Sequence, residues 1–272
     1  MSNSKEITSI PQKTLAERIL IAISLPPQNE SSDQNNPLKK DLTDITPLIL
    51  LRSEYQGFDQ LVRGKKVLDF GCGDGYQAAE LAKHLDCKVT GVDNEPERLA
   101  EAQKRKEENQ LNSERLELID TIDASHHDQY DIVMSHNSME HFSDPVFILK
   151  LMRSTLKPDG RLLITFGPPW YAPFGSHMQY FCKVPWINLV FSEKTIMSVR
   201  SLYRNDGAEY YKDIKSGLNQ MSLKKFETLA KECDLHIEHA HYTGVKNLNF
   251  LTRIPYLREL FTNQVSVIVK KS

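Results

Sequence analysis

Residues 67–75 read Val-Leu-Asp-Phe-Gly-Cys-Gly-Asp-Gly. A short apolar run ends in a carboxylate, Asp69, and glycines then alternate with other residues at Gly71, Gly73 and Gly75. Directly afterwards Ala78, Leu81, Ala82 and Leu85 fall at i, i+3, i+4 and i+7, the spacing of one helical face. Strand, tight glycine turn and helix is how an open parallel sheet brings its backbone close to a ligand. Glycine accepts positive φ and has no Cβ to collide with what binds. Glycines alone would also suit a tight turn that binds nothing; the acids sharpen the reading. A dinucleotide site carries G-x-G-x-x-G and sets a pyrophosphate on the helix N-terminus. Here the spacing is G-x-G-x-G with Asp69 and Asp74 beside it, and carboxylates a few ångströms from a pyrophosphate would repel it. The turn therefore predicts a ligand that carries positive charge.

From Lys65 onward strand and helix patterns alternate, which predicts a parallel sheet covered on both faces. The expected strands are 66–70, 88–93, 116–119, 131–135 and 161–166, with two more near 236–242 and 264–269. The helix after the fourth begins at Asp144-Pro145 and stops at a turn, Lys157-Pro158-Asp159-Gly160. The expected fold is α/β: a Rossmann-like three-layer sandwich around a mostly parallel seven-stranded sheet, with an aromatic insertion after strand five. Residues 1–45 read as an N-terminal helix, with Leu15, Ile19 and Ala22 or Ile23 on one face, followed by a flexible polar linker bounded by Pro26 and Pro37. A second helical segment, 48–62, leads into the domain, which is expected to occupy 46–272 with its insertion at about 168–221.

Ligands of open parallel sheets lie outside the carboxyl ends of the strands. Strand two ends in Asp93-Asn94, about twenty residues past the glycines, where such folds bind ribose hydroxyls. Asp93 taken alone would also serve as a cap for the helix at Pro96. The whole pattern resembles class I S-adenosylmethionine-dependent methyltransferases of the small-molecule type, whose first motif is V-L-D-x-G-C-G-x-G. The resemblance covers about residues 60–167 in four segments: the glycine loop, Asp93, the Ser135-to-His141 segment similar to S-x-x-x-x-E-H, and the Lys157–Gly160 turn. It implies S-adenosyl-L-methionine as cofactor, held by Asp69, Gly71, Cys72, Gly73 and Gly75, with Asp93 and Asn94 at the ribose. Asp120 or Asp123, with Asp120 preferred, would face the adenine amino group, and Thr121 the ring. Ser135 and His136 would pass the methionine part, and His141 would pin the turn.

Between Phe166 and Phe191 stand about a third of the chain's aromatics, both tryptophans included, together with Pro168, Pro169, Pro173, Gly175 and Pro185. This stretch reads as an irregular aromatic insertion rather than a helix. It either walls an acceptor pocket, with Trp170 and Tyr171 against the substrate, or packs as a satellite core. Gly167-Pro168-Pro169-Trp170 is similar to a motif of amino-group methyltransferases but follows strand five instead of strand four, so it says nothing of the acceptor atom. His177 is the candidate general base by its ordinary pKa, or else a hydrogen-bonded structural residue. His239 and His241 share a strand face that His236 does not, so no metal is expected.

A net charge of −2 gives no footprint for nucleic acid or an anionic membrane. Four cysteines with no C-x-x-C pair suit reduced thiols, and the longest apolar stretch, 19–25, is too short to span a bilayer. With Glu6 and Glu17 ahead of it, that stretch does not read as a signal peptide, and a cytoplasmic location is expected. The expectation is therefore methyl transfer to oxygen, nitrogen or carbon of a small-molecule acceptor, with the oligomeric state open. A non-catalytic scaffold that keeps the fold is the main alternative, and a nicotinamide oxidoreductase is disfavoured by Asp69 and Asp74.

Overall fold

The computed structural model describes residues 13–26, 46–214 and 217–272. Most of the linker expected at 26–37 lies outside the described residues. Seven strands form one sheet: β1 (Lys65–Phe70), β2 (Cys87–Val92), β3 (Leu116–Ile119), β4 (Tyr130–His136), β5 (Leu156–Phe166), β6 (Leu235–Gly244) and β7 (Thr262–Lys271). Their order is β3-β2-β1-β4-β5-β7-β6, and only β7 runs antiparallel to its neighbours. The order reverses beside β1, so the switch-point crevice opens at the ends of β1 and β4.

Helices cover both faces, as buried parallel strands require. α2 (Pro47–Glu54), α3 (Phe58–Val62) and α4 (Tyr76–His84) set Leu51, Phe58, Ala78 and Leu81 against Val67, Val89 and Ile132 on one face. α5 (Pro96–Glu108) lies beside β3 and α4. On the other face α6 (Pro145–Thr155) and α9 (Leu223–Glu232) pack Leu149, Met152, Phe226 and Ala230 on Leu68, Val133 and Ile164. Between β5 and α9 the insertion carries α7 (Ile187–Val190) and α8 (Glu193–Arg200), and α10 (Pro255–Phe261) precedes β7.

Three expectations need correction. The helical segment at 48–62 is two helices, because the chain turns through Gly57 at φ +72° before Phe58. Residues 157–160 do not form a separate turn: β5 begins at Leu156 and passes them as an irregularity in its pairing with β4, where Lys157 Nζ holds Asp131 Oδ1 at 2.9 Å. The insertion is not wholly irregular, since Ser192 caps α8 by accepting Thr195 N–H and α8 buries Ile196, Met197 and Val199. In α1 (Leu15–Ala22), Leu15, Ile19 and Ile23 share a face that is turned to solvent, while Leu20 is buried. That helix packs on α8, and Leu25 N–H donates to Phe181 O at 2.7 Å, which ties the N-terminal segment to the insertion.

Candidate active site

The glycine loop folds back on β2, where Gly71 and Cys72 both donate to Val92 O at 2.8 and 2.9 Å. Gly75, left-handed at φ +71°, starts α4, and a Cβ there would meet Ala102 Cβ of α5 at 2.7 Å. Glycine is thus demanded twice, by conformation and by the close approach of the next helix. Asp93, at the end of β2, braces the loop: Oδ2 accepts Gly73 N–H at 2.8 Å and Oδ1 accepts Glu95 N–H at 2.9 Å. Asp93 does not cap the helix at Pro96, whose N-cap is Glu95 without a side-chain cap bond, and its carboxylate keeps lone pairs beyond the bonds to Gly73 and Glu95.

A cleft of about 710 Å³ opens over these strand ends and is lined by Gly71, Asp93, Asn94, Asp120 and Thr121, with Phe70, Ile122, Phe142 and His141 among its walls. Of the two acids after β3, Asp120 lines the cleft, whereas Asp123 caps the short turn at 124–126 and pairs with His126 at 2.9 Å. Cys72, Gly73 and Gly75 shape the loop from behind and do not line the cleft. Burial pushes the Cys72 thiol well above its ordinary range, so it is no nucleophile here. Asp74 differs from expectation: Arg105 Nη2 pairs with its Oδ2 at 2.7 Å. That pairing offsets the Asp74 charge, and the acids that line the cleft are Asp93, Glu95 and Asp120, beside Arg98.

Asp69, Ser135 and His136 are not among the residues that line the cleft, and Asp69 and His136 are joined through Gln77 in a part-buried polar chain. Gln77 Nε2 donates to Asp69 Oδ1 at 3.0 Å, and its Oε1 faces His136 Nδ1 at 2.8 Å. The far nitrogen of His136 stands 3.4 Å from Glu54 Oε1, and Thr165 and Gln264 donate to the same Glu54 carboxylate. Burial pushes Asp69 up to about 6, against the charge of His136 and the Gln77 bond, with Asp93 adding to the rise. Asp69 Oδ2 and Ser135 Oγ are buried without a hydrogen-bond partner among the described residues. Gln77 and Glu54 were not legible as site residues. Gln77 sits on the first turn after the glycines and could have been singled out there; Glu54 comes from a helix outside the strand–helix alternation and carries no local signal.

The insertion meets the cleft at His141. His141 Nδ1 lies 2.9 Å from Gly217 O, so that nitrogen carries the proton, and a Cβ on Gly217 (φ +66°) would meet His141 O at 2.5 Å. The His177 ring stands edge-on to it at 5.6 Å, with Nε2 3.2 Å from Pro168 O. A carbonyl only accepts, so His177 Nε2 is protonated and Nδ1 is the ring's acceptor. Burial, helped by the His141 charge, depresses His177 to about 4. His177 lines a second cavity, of about 200 Å³, that shares His141 with the cleft.

Trp170 and Tyr171 reach neither space. Trp170 packs edge-on to Tyr211 at 5.1 Å, against a satellite core of Leu20, Phe181, Ile196 and Met197. Tyr171 faces a separate shallow depression with Lys225 and Glu259. Trp170 thus packs as the satellite-core alternative supposes, partly buried against that cluster, and is not among the residues that line the cleft.

Residues 61–169 match the family model described as a methyltransferase domain. The chain is similar to ubiquinone biosynthesis O-methyltransferases. It is 35% identical to that of Actinobacillus pleuropneumoniae over 107 residues, which are 38% of this chain and 45% of the relative. Against that of Neisseria meningitidis it is 33% identical over 129 residues, 46% of this chain and 52% of the relative. The chain thus spans about half the length of the relatives it matches. An S-adenosylmethionine-dependent methyltransferase from Mesorhizobium loti superposes with a TM-score of 0.55 at 16% identity, over 85% of this chain and all of that one, a likeness of fold alone. No helix among the described residues is long and apolar enough to cross a membrane. Residues 61–169 are thus similar in sequence to a methyltransferase domain, and the seven-stranded sheet shares its fold with S-adenosylmethionine-dependent methyltransferases.

Proposed function

We propose that this protein transfers the methyl group of S-adenosylmethionine to a small-molecule acceptor, with oxygen as the receiving atom. The observation that carries the reading is the cleft itself, with Asp93 bracing the glycine loop at one wall and His141 at the other. The residues fit the cofactor. Asp69 keeps a buried carboxylate oxygen unpartnered beneath the loop, which favours a cation above it, while Asp93 and Asp120 offer acceptors for hydroxyl and amino groups beside the apolar Phe70 and Ile122. The local similarity to O-methyltransferases supports oxygen as nucleophile. What those relatives methylate is not carried over to this chain.

Bound in the cleft, the cofactor supplies a methyl carbon made electrophilic by its sulfonium. Asp93 and Asn94 would hold the ribose side, Asp120 and Thr121 the base side, and Gly71 would admit close backbone approach. Ser135 and His136 support the methionine side from beneath, where Gln77 links His136 to Asp69. Transfer of that methyl to an acceptor oxygen would leave the carbon–sulfur electron pair on sulfur, and the acceptor's proton would pass to water. A neutral thioether needs no acid, so alignment is the protein's main contribution and can lower the barrier by several kcal/mol, up to roughly 10. At a pKa of about 4 His177 is neutral at pH 7 and a weak proton store, so its Nδ1 suits orienting an acceptor hydroxyl more than removing its proton. The test is transfer of a labelled methyl from S-adenosylmethionine to a panel of small hydroxylated acceptors. Label on an acceptor oxygen is expected. Cofactor binding with no transfer to any acceptor class would favour the scaffold reading.

A further inference from the structure

The polar chain that joins Asp69 to His136 runs on to Glu54, the last residue of α2, and its hydrogen bonds fix its charges. Gln77 Nε2 donates to Asp69 Oδ1, so Gln77 Oε1 can only accept, and His136 Nδ1 at 2.8 Å carries a proton. The other ring nitrogen, Nε2, is buried without a hydrogen bond among the described residues and lies 3.4 Å from Glu54 Oε1. Glu54 is surrounded by donors, as an ionised carboxylate requires. Gln264 Nε2 donates to its Oε1 at 2.8 Å. Thr165 Oγ1 donates to its Oε2 at 3.2 Å and takes the proton of the Tyr55 hydroxyl at 3.0 Å. Burial pushes the Tyr55 phenol far up, which keeps it a donor. A neutral His136 would turn a lone pair on the Glu54 carboxylate, whereas the imidazolium is drawn to it.

The charges along the chain therefore run negative, positive, negative, and one negative charge is left over. It falls on the glycine-loop side. There Asp69 Oδ2 is buried with no partner among the described residues, and Gly71, two residues on, lines the cleft. We infer that Glu54 is a positioning residue for the cofactor site: it holds His136 as the imidazolium, which locks the Gln77 amide and keeps Asp69 ionised for the cofactor's positive charge. The inference rests on the methyl-transfer reading above. Burial drives Asp69 toward its neutral form, up to about 6; the His136 charge opposes this most, the Gln77 bond next, and Asp93 adds to the rise. Burial also raises the Cys72 thiol beside the loop, which stays uncharged. Glu140, on the turn after β4, is raised by burial against the His141 and His136 charges. Glu54 does not line the cleft, so its charge reaches a ligand through His136 and Gln77. A second route, from Gln264 Nε2 to Asn137 Oδ1 at 3.4 Å, carries no charge.

Titration of the full chain with S-adenosylhomocysteine from acid to alkaline pH tests the assignment. The ratio of variant to wild-type affinity is read, so that the ligand's own titration cancels. Wild-type affinity should fall as Asp69 gains its proton near about pH 6. Glu54→Gln keeps the shape of the side chain but not its charge. It should release the His136 proton and move that fall upward, giving about a tenfold loss at pH 7 that is gone by about pH 9. In the Asp69→Asn background Glu54→Gln should cost no further affinity, because the two act as one unit. Should Glu54→Gln melt before it can be titrated, His136→Gln removes the cation directly and should give the same upward move. A merely structural Glu54 would lower the melting temperature and leave the affinity ratio flat across pH. That flat ratio, or an equal loss in the Asp69→Asn background, would overturn the assignment with the cofactor site still standing. A folded wild type that binds no S-adenosylhomocysteine at any pH would overturn the methyl-transfer reading, and the positioning role with it.

Discussion

The two sides of the cleft are built by different means. On the glycine side, Gly71, Gly75 and Asp93 act through backbone geometry and short-range hydrogen bonds; Gly71 and Asp93 follow strand ends and Gly75 starts α4. On the insertion side nothing is local. His141 is held by Gly217, 76 residues away; His177 by the carbonyl of Pro168; and Trp170 by Tyr211. The first side is a fixed loop shaped by where a Cβ cannot go. The second is a set of side chains clamped by tertiary packing, so it can change its acceptor without disturbing the cofactor loop.

Substitutions that separate the two sides break or sharpen this contrast. Asp93→Ala should have the largest effect. Losing charge-assisted bonds to ligand hydroxyls should weaken S-adenosylhomocysteine by about 2–3 kcal/mol, roughly a hundredfold. The same change also frees Gly73 and Glu95 N–H, so the melting temperature should fall as well. Calorimetry read beside thermal melting separates the two. A full loss of stability with intact affinity would make Asp93 a brace only.

Asp69→Asn comes next. Its carboxyl is raised to about 6 in the folded chain, from an ordinary value of 3.8. An acid raised on folding contributes stability that is fully present below 3.8 and is lost as pH rises through about 6. The empty wild-type protein should therefore forgo up to about 2–3 kcal/mol at pH 8 from this group. Asp69→Asn should melt higher there while binding the cationic cofactor more weakly. A lower melting point with unchanged affinity would contradict the cation-facing role.

Much of the glycine side was legible because its signals are sequence-local: alternating glycines, an acid at the next strand end, a proline one turn later. Asp120 was distinguishable from Asp123 only in part, since which of two loop acids turns inward depends on the 124–126 turn that Asp123 caps. The insertion was less legible. Aromatic content announced a packed region but not its direction, and Trp170 packs partly buried against the satellite core. Glu54 gave no signal, because the contacts that make it matter join α2 to β5 and β7.

His177→Ala should have the smallest effect on binding and a moderate one on turnover, about tenfold, with S-adenosylhomocysteine affinity unchanged. Its pH signature is opposite to that of Asp69. A histidine depressed to about 4 contributes stability present above the ordinary 6.5 and lost as pH falls toward 4. His177→Ala should therefore flatten the acid limb of the melting profile between those values. An unchanged acid limb would mean that the ring is not buried neutral.

The central claim is that the cleft was built for a positively charged nucleoside ligand rather than a pyrophosphate. Calorimetric titration of the wild-type chain with S-adenosylmethionine and with NAD tests it most directly. The account predicts micromolar binding of S-adenosylmethionine, no heat from NAD, and loss of the first signal in Asp93→Ala. Micromolar NAD binding with no S-adenosylmethionine signal would contradict it.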